Sequence, residues 1–338
     1  MRLTISSVAI LAFVVVAGGV ACGGRTVVVT PRQAVTPAMR AQLRVDPGAT
    51  RRDLFWGVGG RRYAPPADAP FTLEGKDETG FSVSYDVTSA DGLEWSAKIG
   101  PEAQTEVLLS RVLWGLGYHQ PPVYYLPSWK LDTGEGEPIT VSEARFRPKL
   151  AHLDRSDEFW SWADNPFSGT RELKGLLVVL LMLNSSDLKD DNNSIYDMTE
   201  PWDGASRPST SAQGVPSNVE GRWYVVRDLG AALGETGKLY PRRNWFEGFE
   251  REPFITAVNG SAVTFGYEGR HQELLSMITP DDVTWAAGQL GRLSDAQWRD
   301  AFRAANYAPA PAGRLLARIK EKIADGLALR VDRRAVND

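Results

Sequence analysis

The sequence predicts an α+β fold in which a small β-rich lobe with one helix precedes a larger, mainly helical lobe. In the first half, Leu93, Trp95 and Ala97 alternate with polar residues, which is the period of a half-buried strand. In the second half, residues 170–185 have an all-apolar middle, which predicts a buried helix. Strands gathered in one part of a chain and helices in another are typical of the α+β class.

Turns and strand patterns predict the elements of the first half. A turn around Thr79 and Gly80 separates two strands, and a turn at 90–92 leads into a third. Pro101 is favourable at a first helical position, and Gly117 follows the expected end of that helix. The predicted strands cover residues 71–76, 81–87, 93–99, 122–127 and 139–148, and the helix covers residues 101–116.

Helix caps predict the elements of the second half. Thr279 precedes a proline at a helix start, and Ser294 with Gln297 forms a capping box for the next helix. An apolar stripe follows on a last helix, which we expect to end near Gly326. The strands predicted for this half are residues 194–196 and 222–226.

The 338-residue chain divides into four parts. Residues 1–22 have the pattern of a signal peptide, and residues 23–52, which contain three prolines, are predicted to be a tether. Residues 53–150 make the N-terminal lobe and residues 151–330 the C-terminal lobe. Within the second lobe, residues 199–220 are rich in Pro, Ser and Gly, which predicts a disordered surface insertion.

Composition excludes several classes of protein. With 43% hydrophobic and 24% charged residues the chain is not of a disordered type, and its net charge of -4 offers no basic footprint for nucleic acid. The single cysteine, Cys22, excludes an intramolecular disulfide and a cysteine-based zinc site, and the three histidines are scattered along the chain. The sequence therefore indicates a globular domain without a Cys- or His-rich metal centre.

The N-terminus predicts export. Arg2 is followed by an apolar run at 8–16 and by small residues before Cys22. This segment resembles a bacterial lipoprotein signal, in which the cysteine is acylated, although Gly19 stands where leucine is usual. We therefore expect a protein secreted across the inner membrane and lipid-anchored in the periplasm or outer membrane, with an ordinary signal peptide as the alternative.

Lys98 is the first candidate functional residue. It lies near the end of a predicted strand, and the next helix carries Glu102 and Glu106. A helix carboxylate paired with this lysine would hold its ammonium group for nucleotide phosphates. The two glutamates are one turn apart on a shared face, so either can serve, and Glu106 is preferred because it lies deeper in the helix. A solvated lysine on a strand face is the alternative interpretation.

Two further segments place polar residues directly after predicted buried elements. Asp187 follows the buried helix and Asn192 comes five residues later, which is the spacing of a kinase catalytic loop. Asp228 begins an Asp-Leu-Gly turn, ending at Gly230, that follows an apolar strand and is similar to the metal-binding turn of kinases. Each segment alone is also consistent with an ordinary polar turn.

In chain order, these three segments resemble the protein-kinase-like superfamily over roughly residues 70–330. The closer likeness is to its atypical branches, namely secretory-pathway kinases, spore-coat kinases and toxin-type HipA-like kinases. Those branches lack the His-Arg pair of the catalytic loop, and here Ser185 and Ser186 precede Asp187. The resemblance implies a bilobal kinase-like fold and a Mg²⁺-dependent phosphotransferase that uses ATP or another nucleotide.

The resemblance also implies which residues hold the nucleotide and the metal. Lys98 would bind the nucleotide phosphates and Glu106 would orient the lysine. Gly80, in the first turn, would lie over the phosphates. Asn192 and Asp228 would ligate Mg²⁺, which prefers oxygen ligands.

For the reaction itself, the resemblance implies Asp187 as the base and Lys189 as a contact of the transferring phosphate, with an unknown protein or small molecule as acceptor. The chain lacks a G-x-G-x-x-G cover loop and an A-P-E element, and ATP is scarce outside the cytoplasm. A pseudokinase-like binding module, an AMP-transferring enzyme and an unrelated α+β envelope protein therefore stay open. A serine hydrolase is disfavoured because the sequence has no G-x-S-x-G motif.

Overall fold

The computed structural model describes residues 26–28, 34–79, 82–198, 221–237 and 241–336. The predicted signal peptide with its acylated Cys22, the predicted insertion at 199–220 and Gly80 lie outside the described residues. Within the described part of the chain, no helix is both long and apolar enough to cross a membrane.

Strands predominate in the first half of the chain and helices in the second. The strands are β1 (Thr26–Val28), β2 (Phe71–Asp77), β3 (Ser84–Thr88), β4 (Glu94–Ile99), β5 (Tyr124–Leu126), β6 (Trp129–Asp132), β7 (Ile139–Val141), β8 (Ala144–Pro148), β9 (Leu153–Arg155), β10 (Glu158–Trp160), β11 (Asn193–Met198), β12 (Arg222–Val226), β13 (Ile255–Asn259) and β14 (Ala262–Phe265). The helices are α1 (Pro37–Ala41), α2 (Glu102–Gly115), α3 (Arg171–Met182), α4 (Phe246–Arg251), α5 (Gln272–Leu275), α6 (Pro280–Gly291), α7 (Asp295–Ala304) and α8 (Pro309–Val336). The predicted α+β fold class is confirmed, with a β-rich part that contains α2 before a mainly helical part.

A seven-stranded sheet forms the first part, in the order β5-β8-β4-β3-β2-β6-β7. Its strands place alternate residues on opposite faces, so the apolar members of each strand share one face. On that face, Phe71, Trp95, Trp129 and Phe146 are fully or almost fully buried and their rings meet mainly edge to face. This aromatic cluster is one of the two larger cores of the molecule.

Helix α2 packs on the other face of this sheet and is buried along nearly its whole length. Its apolar residues, such as Val107 and Leu113, belong to the core of the helical part, so α2 lies between the sheet and the helices. Its polar residues Glu102 and Glu106 therefore have to find partners within the protein, because water is excluded around them.

The helical part is built around α3, whose side chains from Leu176 to Met182 are all buried. Thr170 caps its first turn by accepting a hydrogen bond from the Leu173 N–H at 3.2 Å. The predicted capping box of Ser294 and Gln297 forms at the start of α7, and Thr279 makes a second one at the start of α6. Local sequence therefore sets these helix starts.

Helix α8 runs past Gly326, where the sequence predicted its end. Gly326 lies where α8 crosses α6, since a β-carbon at this position would come within 2.8 Å of the β-carbon of Ala287. Its carbonyl oxygen accepts a hydrogen bond from the Thr284 hydroxyl at 3.1 Å. The glycine therefore allows two helices to approach closely, and it does not terminate one.

Residues 34–52, which belong to the predicted tether, pack against the rest of the protein. Leu43 is almost fully buried, and the Arg44 Nε donates to the carbonyl oxygen of Leu116 at 2.8 Å. The hairpin of β13 and β14 and the strands β6, β9 and β10 were not predicted, because each strand is only three to five residues long.

Candidate active site

A cleft of about 330 Å³ lies where the seven-stranded sheet approaches the three-stranded sheet β12-β11-β9. Among the described residues, its lining is entirely polar or charged: Asp77, Thr79, Ser82, Ser84, Ser96, Lys98, Arg145, Arg155, Asp191, Ser194, Arg227 and Asp228. Two predicted site residues, Lys98 and Asp228, are brought together here although 130 positions separate them in the chain. This cleft is therefore the candidate active site.

Lys98 reaches the cleft because of its place in strand β4. Trp95 and Ala97 point into the aromatic core, so Lys98, one residue on, points to the opposite face. Its ammonium nitrogen lies 3.1 Å from a carboxylate oxygen of Glu102, and only about a fifth of its side chain is exposed. The strand lysine is thus paired with a helix glutamate.

The partner of Lys98 is Glu102 and not Glu106, which the sequence analysis preferred. Glu106 lies one helical turn further along α2 and faces strand β8, where it pairs with Arg145 at 3.0 Å and with Arg147. Both arginines are buried, as is Glu106 itself. Glu106, which lies deeper in the helix, therefore pairs with the arginines, and Lys98 pairs with Glu102 in the first turn.

Glu102 connects three parts of the site. Besides Lys98, its carboxylate binds Arg243, which follows the Asp-Leu-Gly turn, and accepts a hydrogen bond from the Ser82 hydroxyl at 3.3 Å. Only 6% of Glu102 is exposed, so these partners replace its contacts with water. A change in any of these three segments would therefore alter the position of the Glu102 carboxylate and, with it, that of the Lys98 ammonium group.

Gly230 brings the Asp-Leu-Gly turn against helix α2. A β-carbon at this position would collide with the β-carbon of Glu102 and would lie 3.0 Å from its carbonyl oxygen. No other amino acid fits without moving the turn or the helix. The glycine of this motif therefore serves the contact with the glutamate that holds Lys98.

We expect Gly230→Ala to lower the free energy of unfolding by about 1–3 kcal/mol, because the added methyl group overpacks the contact with Glu102. Chemical denaturation of the full chain measures this. Gly313→Ala is the matched control, since Gly313 lies in helix α8 with open space around its Cα and should lose no stability. Equal stability of the two variants would contradict the close approach.

The predicted catalytic loop is held in shape by its own polar groups. The side-chain amide nitrogen of Asn192 donates a hydrogen bond to the backbone carbonyl oxygen of Asp187 at 2.8 Å, which closes the loop. Lys189 lies 3.1 Å from the Asp187 carboxylate, and the Trp162 N–H donates to the Asp190 carboxylate at 3.0 Å. The loop therefore presents Asp187 and Asn192 from one closed turn, as the five-residue spacing implies.

Strand pairing places Asp228 beside this loop. In the register of β11 with β12, Asn193 lies opposite Val226, and the Arg227 N–H donates to the carbonyl oxygen of Asn192 at 3.0 Å. Asp228 follows directly, in the left-handed backbone region at φ 51°. Aspartate is one of the few residues that adopt this region readily, and the turn directs the chain away from the sheet.

Cations surround the Asp228 carboxylate. Burial alone would raise the pKa of Asp228, but four nearby cations outweigh burial and hold that pKa far below its ordinary value. These cations are Arg227, Arg147, Lys98 and Arg145. These cations therefore favour the ionised form of Asp228.

Asp228 and Asn192 carry oxygen donors of the kind that Mg²⁺ prefers. Asn192 uses its amide nitrogen on Asp187, so its amide oxygen is the atom that can serve as a ligand. Among the described residues, no group of three or more His, Cys, Asp or Glu side chains could hold a metal. Two oxygen donors suit Mg²⁺, which keeps waters and takes further ligands from phosphates.

The other predicted residues of the loop stand outside the cavity. Asp191 lines it, whereas Asp187, Lys189 and Asn192 are not among its described lining residues. Asp187 is 29% exposed and lies beside the cleft, paired with Lys189. The place predicted for Gly80 falls outside the described residues, but its neighbour Thr79 lines the cavity.

The sequence analysis missed the arginines of the site. Arg145 and Arg147 alternate with Ala144 and Phe146 in β8, and all four are buried. A strand in which arginine alternates with core residues was the available signal, because arginine is rarely buried without a charged partner. Arg227 directly precedes Asp228 and was passed over as part of the strand.

Comparison with known proteins finds a similarity to solved structures. The solved structure of the Helicobacter pylori proinflammatory kinase CtkA is similar to this chain, with a TM-score of 0.46 and 6% sequence identity, over 78% of this chain and 97% of that one. No protein-family model matches the chain, and no curated protein matches it. At this identity the likeness concerns the backbone alone.

Proposed function

We propose that this protein is a Mg²⁺-dependent phosphotransferase that moves a phosphate from ATP or another nucleotide to a hydroxyl acceptor. One observation carries the proposal. Lys98, paired with Glu102, and Asp228 line one cleft, and the nearby loop is closed by a hydrogen bond from Asn192 to Asp187. These residues come from three distant segments, and they are the residue types that phosphoryl transfer uses.

Three groups would bind the phosphate donor. Lys98, oriented by Glu102, would bind the phosphate oxygens, and Asp228 and Asn192 would hold the metal. When bound, Mg²⁺ neutralises charge on the phosphates and fixes their orientation. Because nearby cations lower the pKa of Asp228, its carboxylate is charged before any metal binds.

Asp187 would act on the acceptor. Its carboxylate takes the proton of the acceptor hydroxyl while that oxygen forms a bond to the terminal phosphorus of the donor. The bond from this phosphorus to its bridging oxygen breaks, and the donor leaves one phosphate shorter. Lys189, whose ammonium nitrogen lies 3.1 Å from the Asp187 carboxylate, would contact the transferred phosphate.

A binding module without catalysis, or transfer of AMP in place of phosphate, is the second candidate. Asp187 favours it, because this residue lies outside the cavity lining and is already paired with Lys189. A lipid anchor at Cys22 and a place in the cell envelope belong to the same proposal, with an unknown protein or small molecule as acceptor.

We expect ATP with Mg²⁺ at a hundred times its Kd to raise the free energy of unfolding of the full chain by about 2.7 kcal/mol. Lys98→Gln should lose this stabilisation. Asp187→Asn should keep it but lose conversion of ATP to ADP, because the base acts only in transfer. Thermal unfolding and an assay of ADP formation measure the two effects.

Lys130→Gln is the control for the lysine, because Lys130 is an exposed residue of β6 away from the cleft. If no nucleotide stabilises the wild type, the proposed function is wrong. If ATP binds but only AMP is found attached to protein by mass spectrometry, or nothing is transferred, the second candidate replaces it.

A further inference from the structure

Four cationic side chains from separate strands and turns converge on the cleft: Lys98, Arg145, Arg155 and Arg227. Lys98 and Arg145 are direct cross-strand partners in the register of β4 with β8. Like charges opposite each other destabilise a sheet unless an anion lies between them. Here Glu102 lies 3.1 Å from Lys98 and Glu106 lies 3.0 Å from Arg145, so carboxylates of α2 hold this cationic pair beside the cleft.

Two of these arginines carry buried N–H groups without a hydrogen-bond acceptor among the described residues. Arg145 is 3% exposed, and its Nε lies 3.0 Å from Glu106 but is not aligned for a hydrogen bond. The Nε of Arg227 is likewise buried and unsatisfied. Buried donors are almost always paired in native proteins, so the Arg227 N–H in particular leaves room for an acceptor at the cleft.

Three aspartates, Asp77, Asp191 and Asp228, also line the cleft, which is one fewer than its four cations. Asp77 accepts hydrogen bonds from the Thr79 N–H and hydroxyl at 2.9 and 2.7 Å, so its carboxylate is turned back on its own loop. Asp228 is the proposed metal ligand. With its metal bound, the cleft carries a net positive charge, which suits a ligand with several negative charges in a row.

An apolar surface for a nucleobase is missing from the described lining. Sites for small molecules are usually lined mostly by apolar and aromatic side chains, with few polar groups. Here every described lining residue is polar or charged. Contacts with phosphate are therefore abundant in the described cleft, whereas contacts with a base are not.

We propose that the cleft recognises the phosphoanhydride chain of its ligand and not the base, through Arg145, Arg155 and Arg227. This inference rests on the proposed function and specifies its donor. A nucleoside triphosphate and an inorganic polyphosphate share this chemistry and are bound alike. The arginines take the place of the glycine-rich loop that the sequence lacks, because guanidinium groups bind phosphate oxygens in a bidentate manner.

Calorimetry on the full chain with Mg²⁺ tests this with inorganic tripolyphosphate, ATP, GTP and adenosine. We expect the three triphosphates to bind with Kd values within about three-fold of one another, and adenosine not to bind. Arg155→Gln should weaken tripolyphosphate and ATP alike by about ten-fold, since a charge-assisted hydrogen bond is lost. Arg155 is exposed, so this variant should fold normally even if Arg145→Gln does not.

Arg303→Gln is the matched control, because Arg303 is 67% exposed on helix α7 and should leave every Kd unchanged. If ATP binds more than about ten-fold more tightly than tripolyphosphate, the base is recognised. That result overturns the inference and leaves the proposed function standing. If neither ligand binds, both fail together. A loss in Arg155→Gln that affects ATP alone also overturns the inference.

Discussion

Asp228→Asn should abolish the Mg²⁺-dependent part of nucleotide binding, with a loss of at least about 100-fold in affinity, or about 2.7 kcal/mol. An amide has the shape of the carboxylate but not its charge, and Mg²⁺ requires a charged oxygen donor here because Asn192 is neutral. Thermal unfolding with and without ligand, measured within each variant, separates this effect from any intrinsic loss of stability.

Asp164→Asn is the control, since Asp164 is an exposed residue away from the cleft and should change nothing. Because the pKa of Asp228 lies far below its ordinary value, we also expect no titration of this carboxylate in metal binding above about pH 5. Undiminished Mg²⁺-dependent stabilisation in Asp228→Asn would remove this residue from the metal site.

Glu106→Gln should destabilise the folded protein by about 3–5 kcal/mol, although Glu106 is not the partner of Lys98. Its carboxylate is 1% exposed and holds two buried arginines, Arg145 and Arg147. Removing this negative charge leaves two buried cations without their directly paired carboxylate, with Asp228 as a further anion nearby. Glu102→Gln should instead mainly impair nucleotide binding, because this carboxylate orients Lys98. Urea denaturation and calorimetry distinguish the two glutamates.

The pH dependence gives an independent measure. Burial alone would raise the pKa of Glu106, but Arg145 and Arg147 outweigh burial and hold that pKa below its ordinary value. This group stabilises the fold above the unfolded pKa, about 4.3 for glutamate, and loses that contribution as pH falls through the folded value. Below about pH 4.3 the wild type should therefore lose stability more steeply than Glu106→Gln.

Glu137→Gln is the matched control, because Glu137 is exposed in the loop before β7. It should keep both the stability and the acid dependence of the wild type. If Glu106→Gln is as stable as this control, the buried arginine cluster does not depend on Glu106. If Glu106→Gln loses nucleotide binding at unchanged stability, the preference stated from the sequence was right.

Much of the fold was predictable because its signals are local. Thr170 and Ser294 cap helices where the sequence predicts them, since the side chain and the N–H that it accepts are three residues apart. The end of α8 was not predictable in this way. Gly326 has the composition of a helix terminator, but its contact with Ala287 lies on another helix, and no local pattern reveals that.

The candidate site shows the same division. Lys98 and Asp228 were found because Lys98 lies near the end of a recognisable strand and Asp228 follows another, and chain order then related them. The choice between Glu102 and Glu106 was open, because both lie on one helical face and only the position of α2 on the sheet decides it. Arg145 escaped notice because a buried arginine is interpretable only with its partners in view.

The sequence by itself determined the α+β order of elements, the helix starts and the identity of the polar residues near turns, because these depend on contacts within a few positions. Only the tertiary structure decided that Lys98 pairs with Glu102, that Gly230 packs on α2, and that arginines fill the cleft. The choice between Glu102 and Glu106 depends on how α2 lies on the sheet, although both are close to Lys98 in the chain. The other two features depend on segments far apart in the chain, and contacts over such separations leave no periodic trace in a sequence.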